Sequence, residues 1–253
     1  MKVGQIQLKE NDFLFFLHIP KTAGTALFRS LVRIFGDQTV LSLPDHVLKI
    51  AYGPTYSPSK IDGQGIRIVR QHKTYDFIQE FPRPPYTITM LRSPQARIIS
   101  YYRYVKTVPS HSLHNRVVNE NIELDEFLEI APMFDTYNSQ TWRLCGSEIF
   151  QRDRYSDDEK LAIAKHHLTQ VAYFGLQEHF GLSLRLLSWK FDLPSLQWDV
   201  VNQSRAKFTE QELTETVKDK IAEMNHLDQQ LYEYAVGLFA ERVNESGLEM
   251  QSA

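Results

Sequence analysis

Lys21, His72, Arg92 and Ser100 are the residues whose types and settings suit them for chemistry. Lys21 stands in Pro20-Lys21-Thr22-Ala23-Gly24-Thr25, between an apolar stretch, Phe13–Ile19, and a helical pattern, Gly24–Phe35. That order reads as buried strand, tight loop, helix. Such a loop leaves backbone N–H groups unpaired at a helix N-terminus, where the macrodipole favours an anion. Lys21 adds a mobile positive charge at the mouth. The chemistry implied is capture of a phosphate-like group. Thr22, Gly24, Thr25 and Ala26, with Ala23 in the same segment, would supply amides or hydroxyls, and Gly24 permits close backbone approach.

Three further stretches must position the rest. Tyr86–Leu91 is rich in β-branched and aromatic residues and reads as a second buried strand. It runs into Arg92-Ser93-Pro94, where Pro94 suits the first turn of a helix and Ser93 its cap. That helix continues through Ile98, Ile99, Tyr101, Tyr102 and Val105, with Ser100 about two turns in. Ile66–Arg70 alternates as a short strand and leads to Gln71-His72-Lys73. Val171–Gly175 is a third buried-strand candidate. Strands alternating with helices imply an α/β fold, P-loop-like and three-layered, with a central parallel sheet flanked by helices. Ligands of such sheets bind beyond the carboxyl ends of the strands. The loop after Ile19, Gln71–Lys73 and the Arg92-Ser93 turn would therefore meet in one crevice.

The remaining elements make the carboxyl-terminal half largely helical. Helices are expected over Glu123–Ala131, Asn138–Leu144, Gln177–Phe191 and Leu227–Val243. Capping boxes at Ser156–Glu159 and Thr209–Glu212 open helices to about Leu168 and over Leu213–Met224. A short helix is expected near Asp45–Ala51 and a helical turn over Asp76–Phe81. Thr107–Asn121 shows no strong period. No boundary divides the chain, so residues 1–253 read as a single domain.

Composition narrows the function. The net charge of −3 gives no global basic field for nucleic acid. The one cysteine, Cys145, excludes an internal disulfide and a cysteine-cluster metal site. Apolar runs fall far short of the ~20 residues a membrane-spanning helix needs. A soluble, cytoplasmic protein is expected, with no metal suggested by ligand spacing.

The loop departs from the Walker pattern, because its lysine precedes the glycine. A nucleotide-dependent kinase on this core would need a lysine after the glycine and an acidic magnesium ligand at a strand end. Tyr86–Leu91 ends on Arg92 instead. A non-catalytic nucleotide-binding module is the other alternative.

HIPKTAGT followed by LRSPQARIISYY resembles the sulfotransferases that use 3′-phosphoadenosine 5′-phosphosulfate, and most of all the branch containing heparan-sulfate 2-O-sulfotransferase and bacterial relatives. Asn138-Ser139-Gln140-Thr141, Phe174-Gly175-Leu176-Gln177-Glu178 and HLDQQLYEYAVGLF are similar to the same branch. The resemblance implies that the first motif binds the 5′-phosphosulfate and that Arg92 and Ser100 bind the 3′-phosphate. It also implies that a basic loop, here Arg205 and Lys207, closes over that phosphate. The implied activity is transfer of a sulfuryl group to a hydroxyl of a glycan, lipid or small metabolite.

Sulfuryl transfer needs an in-line donor, stabilisation of the leaving phosphate by Lys21 and the loop amides, and a general base. His72 is the chosen base, following a strand that should end at the crevice. Relatives carry a histidine between the two motifs, often after a glycine; here Gln71 takes that place. His18 reads as a structural residue orienting the loop, and Glu178 is a weaker alternative base. Arg97 and Arg103 read as surface charges. Asn138, Gln140 and Arg143 either face the acceptor or cap and pack their helix. Tyr101, Tyr102 and Tyr104 are among the aromatics that could stack on a sugar.

Overall fold

The computed structural model describes residues 4–42, 65–146, 155–198 and 213–249. Its centre is a five-stranded parallel sheet in the order β2-β3-β1-β4-β5. The strands are β1 (Leu14–Leu17), β2 (Val40–Ser42), β3 (Ile68–Gln71), β4 (Tyr86–Leu91) and β5 (Tyr173–Leu176). Every residue of β1 is fully buried, which fits a central parallel strand covered on both faces. Its two neighbours run in register with it, Leu17 opposite Gln71 on one side and Thr89 on the other.

The helices, in chain order, are α1 (Gly24–Phe35), α2 (Pro94–Thr107), α3 (His114–Asn119), α4 (Leu124–Ile130), α5 (Met133–Thr136), α6 (Ser139–Cys145), α7 (Asp157–Gln170), α8 (Phe180–Lys190), α9 (Glu215–Met224) and α10 (His226–Ser246). Short 3-10 turns occupy Asp37–Thr39, Tyr75–Glu80 and Gln177–His179. Two cores form. The larger joins the sheet to α1, α6, α7, α8 and α10, and the smaller packs α2 against α3, α4 and α9.

The expected P-loop-like α/β architecture is the one observed. Several local expectations shift. The Ser156 capping box is present, with Ser156 Oγ accepting from the Glu159 amide and Glu159 returning to the Ser156 amide. Thr209–Glu212 lies outside the described residues; the cap of α9 is Thr214, whose side chain accepts from the Val217 amide. Strand β2 and helix α3 carry too few periodic residues to be expected. The Asp45–Ala51 segment, Arg205 and Lys207 lie outside the described residues. No helix among the described residues is long and apolar enough to cross a membrane.

Candidate active site

The turn from β1 to α1 is built from unusual backbone. Lys21 and Ala23 adopt positive φ, 71° and 64°. Alternation of this kind points successive amides into one concavity, an anion-binding nest. Among the described residues, the amides of Thr22, Ala23, Gly24 and Thr25 donate to no backbone carbonyl. The Ala26 amide, expected as a ligand donor, closes the first turn of α1 on Ala23 O at 3.0 Å. The Thr22 hydroxyl is likewise committed, donating to Ile19 O at 2.9 Å. Thr25 is half-buried beside them.

Gly24 answers to a different neighbour than the sequence suggests. A Cβ there would meet the His18 ring at 2.1 Å. His18 is buried against Phe16 and His72, with ring centroids at 5.2 and 4.4 Å. Burial holds its pKa well below 6.5, and the charges of His72, Arg70, Arg143 and Lys21 push it the same way. His18 is therefore neutral at neutral pH and forms the floor under the loop. His72 follows β3 where His18 follows β1, so the registered strand ends bring the two rings together. His72 is the more exposed of the pair. Gln71, which replaces the expected glycine, turns its side chain into the interior.

Lys21 does not extend freely into solvent. Its Nζ lies 3.9 Å from the centroid of the Tyr104 ring on α2. Burial first, and the nearby Arg92 charge second, lower its pKa from 10.5 to about 8. Arg92, just beyond β4, donates from Nη1 to Lys21 O at 3.2 Å. Ser100 is half-buried on α2, one turn before Tyr104 and on the same helix face. Lys21, Arg92 and the Ser100–Tyr104 face thus converge from three segments. Arg205 and Lys207 cannot be placed with them, being outside the described residues.

Other polar residues take roles the sequence left open or misread. Asn138 and Gln140 are fully buried and Arg143 almost so. Asn138 Oδ1 accepts from the Leu227 and Asp228 amides, capping α10. Arg143 donates to Ser139 and to Phe134 O and pairs with Asp135 at 3.3 Å. These contacts are those of the capping-and-packing alternative. Arg97 corrects the expectation of a surface charge: its side chain is fully buried. The charges of Asp228 and Asp135, from segments far along the chain, oppose the lowering of its pKa by burial. No signal near Arg97 in sequence announces those partners. Among the described residues, no group of three or more His, Cys, Asp or Glu is placed to hold a metal ion.

The family model for the sulfotransferase family matches residues 5–235. The chain belongs to that family. Among its curated sulfotransferase relatives are human heparan-sulfate 6-O-sulfotransferase 3, 24% identical over 93% of this chain and 59% of that protein, and human heparan-sulfate 6-O-sulfotransferase 1, 25% identical over 94% and 68%. This chain spans about three-fifths of the length of the first of these relatives. A mouse sulfotransferase, SULT7A1, solved with PAP, aligns over 89% of this chain and 68% of its own at 14% identity and a TM-score of 0.39. Both of these relatives carry the 6-O name, so the 2-O branch expected from the sequence is not shown.

Proposed function

We propose that the protein transfers a sulfuryl group from 3′-phosphoadenosine 5′-phosphosulfate to a glycan hydroxyl. The observation that carries this is the Arg92–Lys21 contact, which joins the two motif segments into one basic crevice at the strand ends. The nest amides of Thr22–Thr25 and Lys21 suit the 5′-phosphosulfate; Arg92 and Ser100 suit the 3′-phosphate. When bound, the donor supplies an electrophilic sulfur whose bond to the phosphate oxygen breaks as the acceptor oxygen attacks.

In this reading His72 takes the acceptor proton. Its ring lies against that of the buried His18, with centroids 4.4 Å apart, which holds it at the strand end. Lys21 and the nest amides oppose the charge that develops on the leaving phosphate. Arg205 and Lys207 remain proposed contacts of the 3′-phosphate. Tyr104, 38% exposed beside Lys21, offers an aromatic face for the sugar ring of the acceptor.

The acceptor class rests on the glycan-modifying names of the relatives. The 2-O branch expected from the motifs is not carried into this reading, because the glycan-modifying relatives bear the 6-O name, and the position sulfated is left open. The lone, buried Cys145 suits the reducing cytoplasm as the place of action.

Calorimetric titration with adenosine 3′,5′-bisphosphate and with ATP plus magnesium, followed by a transfer assay, tests the reading. Tight bisphosphate binding without an ATP response is the expected result. Preference for magnesium-ATP would overturn it in favour of a kinase. His72→Ala should cut transfer by roughly 10²–10⁴-fold with little change in bisphosphate affinity. Full activity in that variant would remove His72 as the base.

A further inference from the structure

Three family-like segments have no part in the donor site as read above, and all three converge on the Arg92–Ser93 turn. Gln140 Oε1 accepts from the Arg92 amide at 2.9 Å, and its Nε2 donates to Arg92 O at 2.8 Å. One buried side chain thus satisfies both backbone groups of Arg92. Glu178 Oε1 accepts from the Ser93 amide at 2.9 Å, while its Oε2 accepts from the Tyr232 hydroxyl at 2.7 Å.

The gripping residues are themselves fixed from behind. Asp228 accepts from the Gln140 and Thr141 amides at 3.0 and 2.7 Å, closing the N-terminus of α6. Asn138 in turn closes the N-terminus of α10, at 2.9 and 3.1 Å from the Leu227 and Asp228 amides. The two helices cap each other.

The pairing of β4 with β5 ends at Leu91 and Leu176, so beyond that point the ladder no longer holds the chain. Side chains must then satisfy the Arg92 and Ser93 amides, which fixes the direction in which the Arg92 side chain leaves. A guanidinium grips phosphate well only in a defined fork geometry.

We propose that Gln140 and Glu178 are positioning residues that aim Arg92 at the 3′-phosphate of the donor. Gln140 acts through the backbone of Arg92, and Glu178 through that of Ser93 with Tyr232 behind it. The inference rests on the reading of Arg92 as a 3′-phosphate ligand, and its test separates the two.

Adenosine 3′,5′-bisphosphate and adenosine 5′-monophosphate differ only in the 3′-phosphate, so the ratio of their calorimetric affinities isolates that group. Arg92→Ala should collapse the ratio; if it leaves the ratio intact, the ligand reading falls and the positioning role falls with it. Given a collapse, Gln140→Met and Glu178→Ala should each lower the ratio at least fivefold while the monophosphate affinity stays within twofold. Glu178→Gln, which keeps an acceptor for the Ser93 amide, should restore most of it. Equal weakening of both nucleotides, or an unchanged ratio, would overturn the positioning role alone. Should Gln140→Met fail to fold, Glu178→Ala at its exposed position decides the matter.

Discussion

Lys21 offers the sharpest test of the site, because its charge is costly until an anion arrives. Holding its pKa at about 8 instead of 10.5 means that the charged form is disfavoured by about 3 kcal/mol in the free protein. The sign follows from proton counts. Between pH 8 and 10.5 the unfolded chain keeps a proton on Lys21 that the folded chain has released. Stability therefore rises with pH across that window, and the penalty is fully present below pH 8. Lys21→Met removes the charge and keeps much of the stem over Tyr104. At pH 7 it should raise unfolding stability by up to about 3 kcal/mol, an advantage that shrinks to nothing by pH 10.5. On the proposed reading, bound bisphosphate would supply the missing counter-charge and lift the Lys21 pKa. Wild-type affinity should be flat below pH 8 and fall up to tenfold per pH unit above it, with proton uptake on binding. Lys21→Met should bind more weakly and lose that slope. Denaturant unfolding and calorimetry in buffers of different ionisation enthalpy measure both effects. A variant no more stable at pH 7, together with wild-type affinity that is level from pH 7 to 9.5, would refute the reasoning.

Three other outcomes are expected. Gly24→Ala sets a methyl 2.1 Å from the His18 ring and should cost about 1–3 kcal/mol in unfolding stability, with His18→Ala in the same chain recovering part of the loss. Asn138→Ala removes the acceptor of two buried α10 amides and should cost about 2 kcal/mol by denaturant titration. Tyr104→Ala should raise the KM for a glycan acceptor by roughly 2–10-fold through lost stacking, whereas Tyr104→Phe should leave it near wild type.

The parts of the fold that the sequence makes legible are those whose signal is local. Tyr86–Leu91 and Gly24–Phe35 appear with the boundaries that their own residues suggest, since an apolar β-branched run and a helical apolar stripe need no distant partner to be recognised. The β1 ladder is shorter than its apolar run: Phe13, His18 and Ile19 are buried but flank the strand. β2 is a three-residue strand that, among the described residues, pairs with β3 alone, too short for a period to show. α3 buries only Val117, so its sequence carries no stripe. At the candidate site, the strand-end placement of Lys21, Arg92 and His72 is legible because each follows a strand. Arg97 was not, because an arginine on a helix gives no sign of acids that approach it from Asp135 and Asp228. Gln140 and Glu178 bond to a turn 48 and 85 residues away, and only the closed fold brings these pairs together.

The mutual capping of α6 and α10 has a consequence for the order in which the molecule can be completed. Asn138 and Asp228 each satisfy the other's helix, across about 90 residues of chain. A nascent chain that has formed the whole sheet, through Leu176, still lacks the groups that seat Gln140 on Arg92. On the proposed reading, loop closure over that span would precede a finished donor site. Nucleotide capture would then report that synthesis has passed Asp228. Chains stopped after Leu213 should be left behind by a bisphosphate resin that retains chains ending at Glu249, and equal retention would dispose of the idea.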